Sequence, residues 1–316
     1  MKKICCIIFI IVCWCSAFSS TIQKSNILWS IGKADKSASE FALAPNGFKN
    51  FVGHDFGYED KFFLIGHSKE KTDFPYVIPG PVDTWGGTWP TSGWRTSQVT
   101  ILFGIENLPT KGEYKLVINL LDYAKKFLPL LKVSINNQDE KIQLGAPGYD
   151  VLKQPHPGQN EAYVDTASIT GDLSSITPKT IEIHLNRNTL LKGGNSVTIT
   201  VLQGSWIMFD QIRLEGSAKT VLETAGQLFI REVKPANYQL EQNGKKVQPL
   251  LIRAEYLNGS PKLSVELDGI NIFNEVLEKG KYEFEAPMPA VEKSVKSKYR
   301  LLEDGNVIEE GVVYRT

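Results

Sequence analysis

The sequence predicts an all-β chain: a jelly-roll β-sandwich followed by a smaller immunoglobulin- or fibronectin-like β-sandwich. Three observations carry that expectation. Apolar residues alternate with polar ones over short runs and almost nowhere recur at helical spacing. Turn-forming Gly, Asn, Asp and Pro punctuate those runs every ~10–15 residues. The 316-residue length leaves room for about two domains.

The elements follow in chain order. MKK is a short basic start, ICCIIFIIVCWC (4–15) an apolar stretch, and Ala17 and Ser19 are small residues suited to signal peptidase. Residues 1–19 therefore read as an export signal cleaved after Ser19, too short to span a bilayer. A lipoprotein leader is the alternative. It needs a small residue before the modified cysteine, whereas Val12 precedes Cys13 and Trp14 precedes Cys15. All four cysteines (Cys5, Cys6, Cys13, Cys15) lie in this leader, so the product is expected to carry neither disulfide nor thiolate and to be secreted or periplasmic.

A polar tether, 20–26, leads to the first unit, expected over 27–216. Strands are expected at ILWSIG from Ile27, at QVTILFGI from Gln98, at KGEYKLVINLLDYA, at LKVSINNQ with a turn at Asn136–Asn137, at TIEIHLN, after LLKGGN, and in SWIMFDQIRLEG. Between them, Phe74 to Gln98 (FPYVIPGPVDTWGGTWPTSGWRTSQ) holds four prolines and four glycines, so it is expected to be neither helix nor regular strand. Residues 217–226 read as a linker with one helical turn. Seven short strands are expected over 227–316, the second sandwich.

Charge excludes some roles. The chain has 35 basic and 35 acidic residues; losing Lys2 and Lys3 with the leader leaves 33 against 35, a net −2. No basic block marks a nucleic-acid or membrane-surface site, and no second apolar span follows the leader. The four histidines are scattered, without HExxH or paired cysteines, so no cofactor or transition metal is expected. A structural calcium ion on Asp55, Glu59 and Asp60 lacks a recognised loop spacing, and a solvated acidic loop is the plainer reading. GHSKE (66–70) has half of a nucleophile elbow, with Glu70 where the second glycine belongs.

The Phe74–Gln98 stretch carries the functional expectation. A pyranose offers an apolar C–H face and a rim of hydroxyls, which aromatic planes and short polar groups match. Tyr76, Trp85, Trp89 and Trp94 are the candidate platforms; Asp83 and Arg95, with His156, Gln159 and Asn160 of a second polar loop, are the candidate hydroxyl partners. The same tryptophans would equally serve to plug the end of a sandwich.

LWSIGKADKSASEFALAP resembles the opening of the sugar-binding jelly-roll (third) domain of family-four polysaccharide lyases, the rhamnogalacturonan lyases, with Trp29, Ile31, Gly32, Asp35, Glu40 and Phe41 in the matching places. TILFGIENLPTKGEYKLVINLLDYA resembles that family's central strand pair. LKVSINNQ resembles its hairpin, with Asn137 where glycine is usual. LLKGGNSVTITVLQGSWIMFDQIRLEG resembles its closing segment, with Phe209 in place of tyrosine. PYVIPGPVDTWGG is similar to the N-terminal module of secreted alpha-mannosidase-like glycoside hydrolases, and KLSVELDGINIFNEVLEKGKYEFEAPMPAVE to their following Ig-like domain. The resemblance implies the accessory half of such an enzyme. Three functions follow as expectations: an exported non-catalytic protein that binds polysaccharide or oligosaccharide; a structural module packed on a separately encoded or truncated-away glycoside hydrolase or lyase catalytic domain; or a lyase or glycosidase in its own right.

Overall fold

The structure, a computed structural model, describes residues 26–315 apart from 55, 57–60, 88–96, 111, 137, 146–167, 187, 224–227, 257–259 and 279. The chain is all-β. In the first sandwich, one sheet holds β1 (Asn26–Gly32), β10 (Ile207–Gly216), β5 (Tyr114–Tyr123) and β8 (Lys179–Leu185) in that order, with β3 (Val77–Ile78) against β10. The facing sheet runs β11 (Val221–Glu223), β4 (Gln98–Asn107), β9 (Gly193–Gln203), β6 (Leu130–Ile135) and β7 (Gln138–Gln143), with β2 (Lys61–Leu64) beside β4.

Alternation builds the core between them. Val99, Ile101, Phe103 and Ile105 of β4 face inward with Val197, Ile199 and Val201 of β9, opposite Leu116, Ile118 and Leu120 of β5 and Ile212 and Leu214 of β10. Phe41, Phe74, Tyr76, Trp206 and Phe209 are wholly buried among them. One pairing departs from the expected antiparallel jelly roll: β2 runs parallel to β4, Lys61 opposite Val99. A parallel neighbour needs a long crossover, and residues 65–97 supply one.

That crossover is more regular than its proline and glycine content implies. It contains a short helix (Glu70–Asp73), the strand β3 on the edge of β10, and a 3-10 turn (Thr84–Gly86). The linker expectation is corrected too. Residues 217–220 form a turn closed by the Thr220 N–H to Ser217 O bond, and 221–223 add strand β11 to the edge of β4 rather than a helical turn.

The second sandwich pairs β12 (Leu228–Pro235), β14 (Lys245–Tyr256) and β13 (Leu240–Gln242), with β17 (Gly280–Pro289) beside β14. Its other sheet runs β16 (Ile270–Val276), β15 (Lys262–Leu267), β18 (Val295–Glu303), β19 (Asn306–Arg315). The first expected strand is split in two here, because the chain leaves β14 after Pro235 and rejoins it at Leu240. Hairpins turn at Asn243–Gly244, Asp268–Gly269 and Asp304–Gly305, with positive φ at both residues of each pair. That is the type I′ geometry that Asn-Gly and Asp-Gly favour.

Candidate functional site

Strand direction gathers the long connections at one end of the first sandwich. β4 starts where β9 ends, Gln98 opposite Thr200; β10 starts where β5 ends, Ile207 opposite Tyr123; β7 ends at Gln143 opposite Leu130, and β8 starts at Lys179 opposite Leu120. The segments before β4, between β5 and β6, between β7 and β8, and between β9 and β10 therefore all open on the same side. The other end is closed by shorter connections, such as the β6–β7 turn at Asn136, in the left-handed region at φ 51°. The Asn136 amide there donates to Thr189 O and Asn195 Oδ1.

An aromatic group lies beneath the loop-bearing end. Trp85, half-buried in the 3-10 turn, meets Phe48 edge-on at 5.2 Å and Phe51 at 5.8 Å between ring centres. His54 stacks on Phe56 at 5.2 Å, and Lys61 Nζ stands 4.8 Å from the Phe56 ring centre. Lys49 lies 6.0 Å from the ring of Phe48. Across the same end, the β5–β6 connection sets Lys125 at 4.7 Å from the ring of Tyr123 and Lys126 at 5.9 Å from that of Phe127, with both rings half-buried. Among the described residues, the lysine–ring contacts all fall here. Such contacts contribute roughly 0.5–1 kcal/mol each at exposed sites.

Two buried carboxylates brace the connections. Asp122 accepts from Ser168 Oγ at 2.5 Å and Thr177 N at 3.0 Å, and pairs with Lys125. Asp83 accepts the Gly80 N–H at 2.8 Å and the Ser205 hydroxyl at 2.6 Å, tying the Pro79–Gly86 segment to the β9–β10 turn. It is fully buried, and burial pushes its carboxyl up to about 7 against the opposing pull of those hydrogen bonds.

The expected site residues separate on this geometry. Tyr76 is a correction: it is fully buried, its hydroxyl donates to Ile169 O at 2.6 Å, and burial raises the hydroxyl pKa. Asp83 is a second: its oxygens serve Gly80 and Ser205 in the interior rather than facing a ligand. The cause is the same for both, since the chain from Phe74 to Asp83 runs through the sandwich before it reaches the rim. Trp85 is wedged between the core and the surface. Trp89, Trp94, Arg95, His156, Gln159 and Asn160 lie outside the described residues, as do Asp55, Glu59 and Asp60. The flanks of their segments, Ser97, Gly145 and Ser168, stand at the loop-bearing end. Among the described residues no cluster of His, Cys, Asp and Glu is arranged to hold a metal ion. His184 is exposed on β8, as its place in an alternating strand suggests.

Sequence reasoning missed Phe48, Tyr123 and Phe127 with their lysines. The available signal was Tyr123-Ala-Lys-Lys-Phe127, which sets two rings and two cations between two apolar strands.

Comparison with known families matches residues 27–214 to the family described as CBM-like, polysaccharide lyase family 4, domain III. Comparison with curated proteins gives no match. Among solved structures, the chain is similar to a GH2 β-galacturonidase from Eisenbergiella tayi bound to glycerol, with 13% identity, a TM-score of 0.24, and coverage of 73% of this chain and 37% of that one. It is similar to a β-glucuronidase from an uncultured Clostridium sp., with 8% identity, a TM-score of 0.25, and coverage of 92% and 43%. A β-D-mannosidase from Dictyoglomus thermophilum gives 7%, 0.22, 69% and 28%. The chain thus spans less than half the length of these enzymes, and likenesses this slight carry no argument about its chemistry.

Proposed function

The chain belongs to the CBM-like family of polysaccharide lyase domain III, and from that premise we propose that it is an exported, non-catalytic carbohydrate-binding accessory protein. Export rests on the leader over residues 1–19. Among the described residues no helix is long and apolar enough to cross a membrane. Binding is assigned to the loop-bearing end of the first sandwich. The observation that carries this is the gathering there of half-buried Trp85, Tyr123 and Phe127 beside Lys49, Lys61, Lys125 and Lys126. Rings accept the C–H face of a sugar, and ammonium groups beside them suit a saccharide that carries carboxylates. Trp89, Trp94, Arg95, His156, Gln159 and Asn160 belong to the same proposal, on segments whose flanks stand at that end. Retention in polysaccharide-containing gels tests it. Each stacked ring contributes about 1 kcal/mol, so the Trp85→Ala, Trp89→Ala, Trp94→Ala triple variant should bind roughly 100-fold more weakly. Unchanged retention removes the site.

A second reading, a module packed on a separate glycoside hydrolase or lyase domain, is favoured by one observation. Val312 and Tyr314 stand 49% and 60% exposed on strand β19, apolar surface that a docked domain would cover.

A further inference from the structure

The outward face of a sandwich sheet is normally polar, yet part of the β2–β4–β9 sheet is not. Phe63 of β2 and Ile101 and Phe103 of β4 point into the first core. Their neighbours Phe62, Leu64 and Leu102 must then point out, because side chains alternate along a strand. They are nonetheless buried, Leu102 completely. Their partner is Phe229 of β12. Together the four form a small apolar cluster separate from both main cores. On either side of Phe229, Leu228 and Ile230 pack into the second core, so Phe229 points out of its own sandwich.

The seat is shaped for that ring. A Cβ added to Gly194 of β9 would stand 3.0 Å from Phe229 Cζ, so a side chain here would crowd the ring and make it shift. Glu255 sits opposite Phe229 in the β12–β14 register and is fully buried, with Arg231 Nε 3.0 Å from its carboxylate. A second approach lies nearby: burial and the neighbouring Asp304 raise the pKa of Glu303 in β18, and His67, in the first sandwich, offsets part of that rise.

We propose that Phe229, seated on Phe62, Leu64 and Leu102 over Gly194, locks the two sandwiches into one rigid body. Its consequence is geometric. The seat lies on the part of the sheet toward Gly193, away from the loop-bearing end that starts at Gln98. The second sandwich is then a strut that holds that end at a set distance and angle from β19, and leaves it open. This inference stands whether or not the loop-bearing end binds sugar.

Calorimetry and small-angle scattering on the full chain test it. The wild type should unfold in one transition and scatter as a single particle of fixed dimensions. Phe229→Ser should split the transition in two and enlarge the maximum dimension, with near-ultraviolet circular dichroism retained. Gly194→Leu is the control for misfolding. It touches neither core and fills the seat from the other side, so it should give the same split and the same enlargement. Two independent transitions in the wild type, or an unchanged profile in Gly194→Leu, would overturn the lock.

Discussion

The second sandwich turns its hairpins in two residues, and a Cβ added at Gly244, Gly269 or Gly305 would meet nothing within 4 Å. The first sandwich uses glycine differently at its loop-bearing end. There a Cβ on Gly80 would fall 2.3 Å from Gly204 O, one on Gly86 2.3 Å from Pro79, and one on Gly204 2.3 Å from Leu128 O. In the second unit the turns are local, each set by the conformational preference of its own dipeptide. In the first, the connections are set by each other, packed backbone against backbone and braced by Asp83 and Asp122. Local turns make a short, regular spacer. Mutually packed connections can carry a long irregular surface, but each depends on its neighbours.

The largest test of that contrast is Phe74→Ala. Phe74 is fully buried and meets Phe41, Phe63 and Phe209 at 5.7, 5.7 and 5.3 Å between ring centres. Truncation should cost about 3–5 kcal/mol, measured by urea denaturation. A loss below about 1 kcal/mol, as for a surface site, would mean that the irregular stretch is not anchored in the core.

Asp83 gives a smaller, pH-dependent effect. Its carboxyl is raised to about 7 by burial, whereas an unfolded aspartate titrates near 3.9. Between these values the folded protein keeps a proton that the unfolded chain has lost. The stabilisation is therefore full below about pH 4 and is lost as pH rises through about 7. The wild type should lose a few kcal/mol between about pH 5 and about pH 8. Asp83→Asn, which cannot ionise, should remove that slope while costing about 1 kcal/mol at acid pH for one impaired hydrogen bond. Parallel slopes in the two proteins would show that Asp83 does not titrate in this range.

The two regions also differ in how much of them the sequence reveals. Strands such as Lys179–Leu185 are legible because alternation is a property of neighbouring residues, and Asp268–Gly269 and Asp304–Gly305 because a type I′ turn is chosen by two. Tyr76 and Asp83 were misread for the converse reason. Their surroundings are Ile169 and Ser205, 93 and 122 residues away in the chain, and nothing local distinguishes a buried tyrosine from a displayed one. Phe229 is a harder case. It sits in an apolar strand start, and only the register that turns Phe62 and Leu102 outward shows that its partner is another domain.

The finest test sets one glycine against another. Gly204 and Gly305 share a left-handed backbone, φ 79° and 84°, and an alanine pays for that conformation by roughly 1 kcal/mol at either place. At Gly305 that is the whole cost, since its Cβ would enter open space. At Gly204 the methyl group also meets the Leu128 carbonyl, so either the β5–β6 connection or the β9–β10 turn must move. Gly204→Ala should therefore lose on the order of 2 kcal/mol or more, while Gly305→Ala loses about 1. Because the crowded carbonyls belong to Leu128 and its neighbour Phe127, Gly204→Ala should also weaken retention on polysaccharide, and Gly305→Ala should leave it unchanged. Equal losses of stability at the two sites would show that the loop-bearing end yields to the extra methyl group, and that its connections are as independent as the hairpins of the second sandwich.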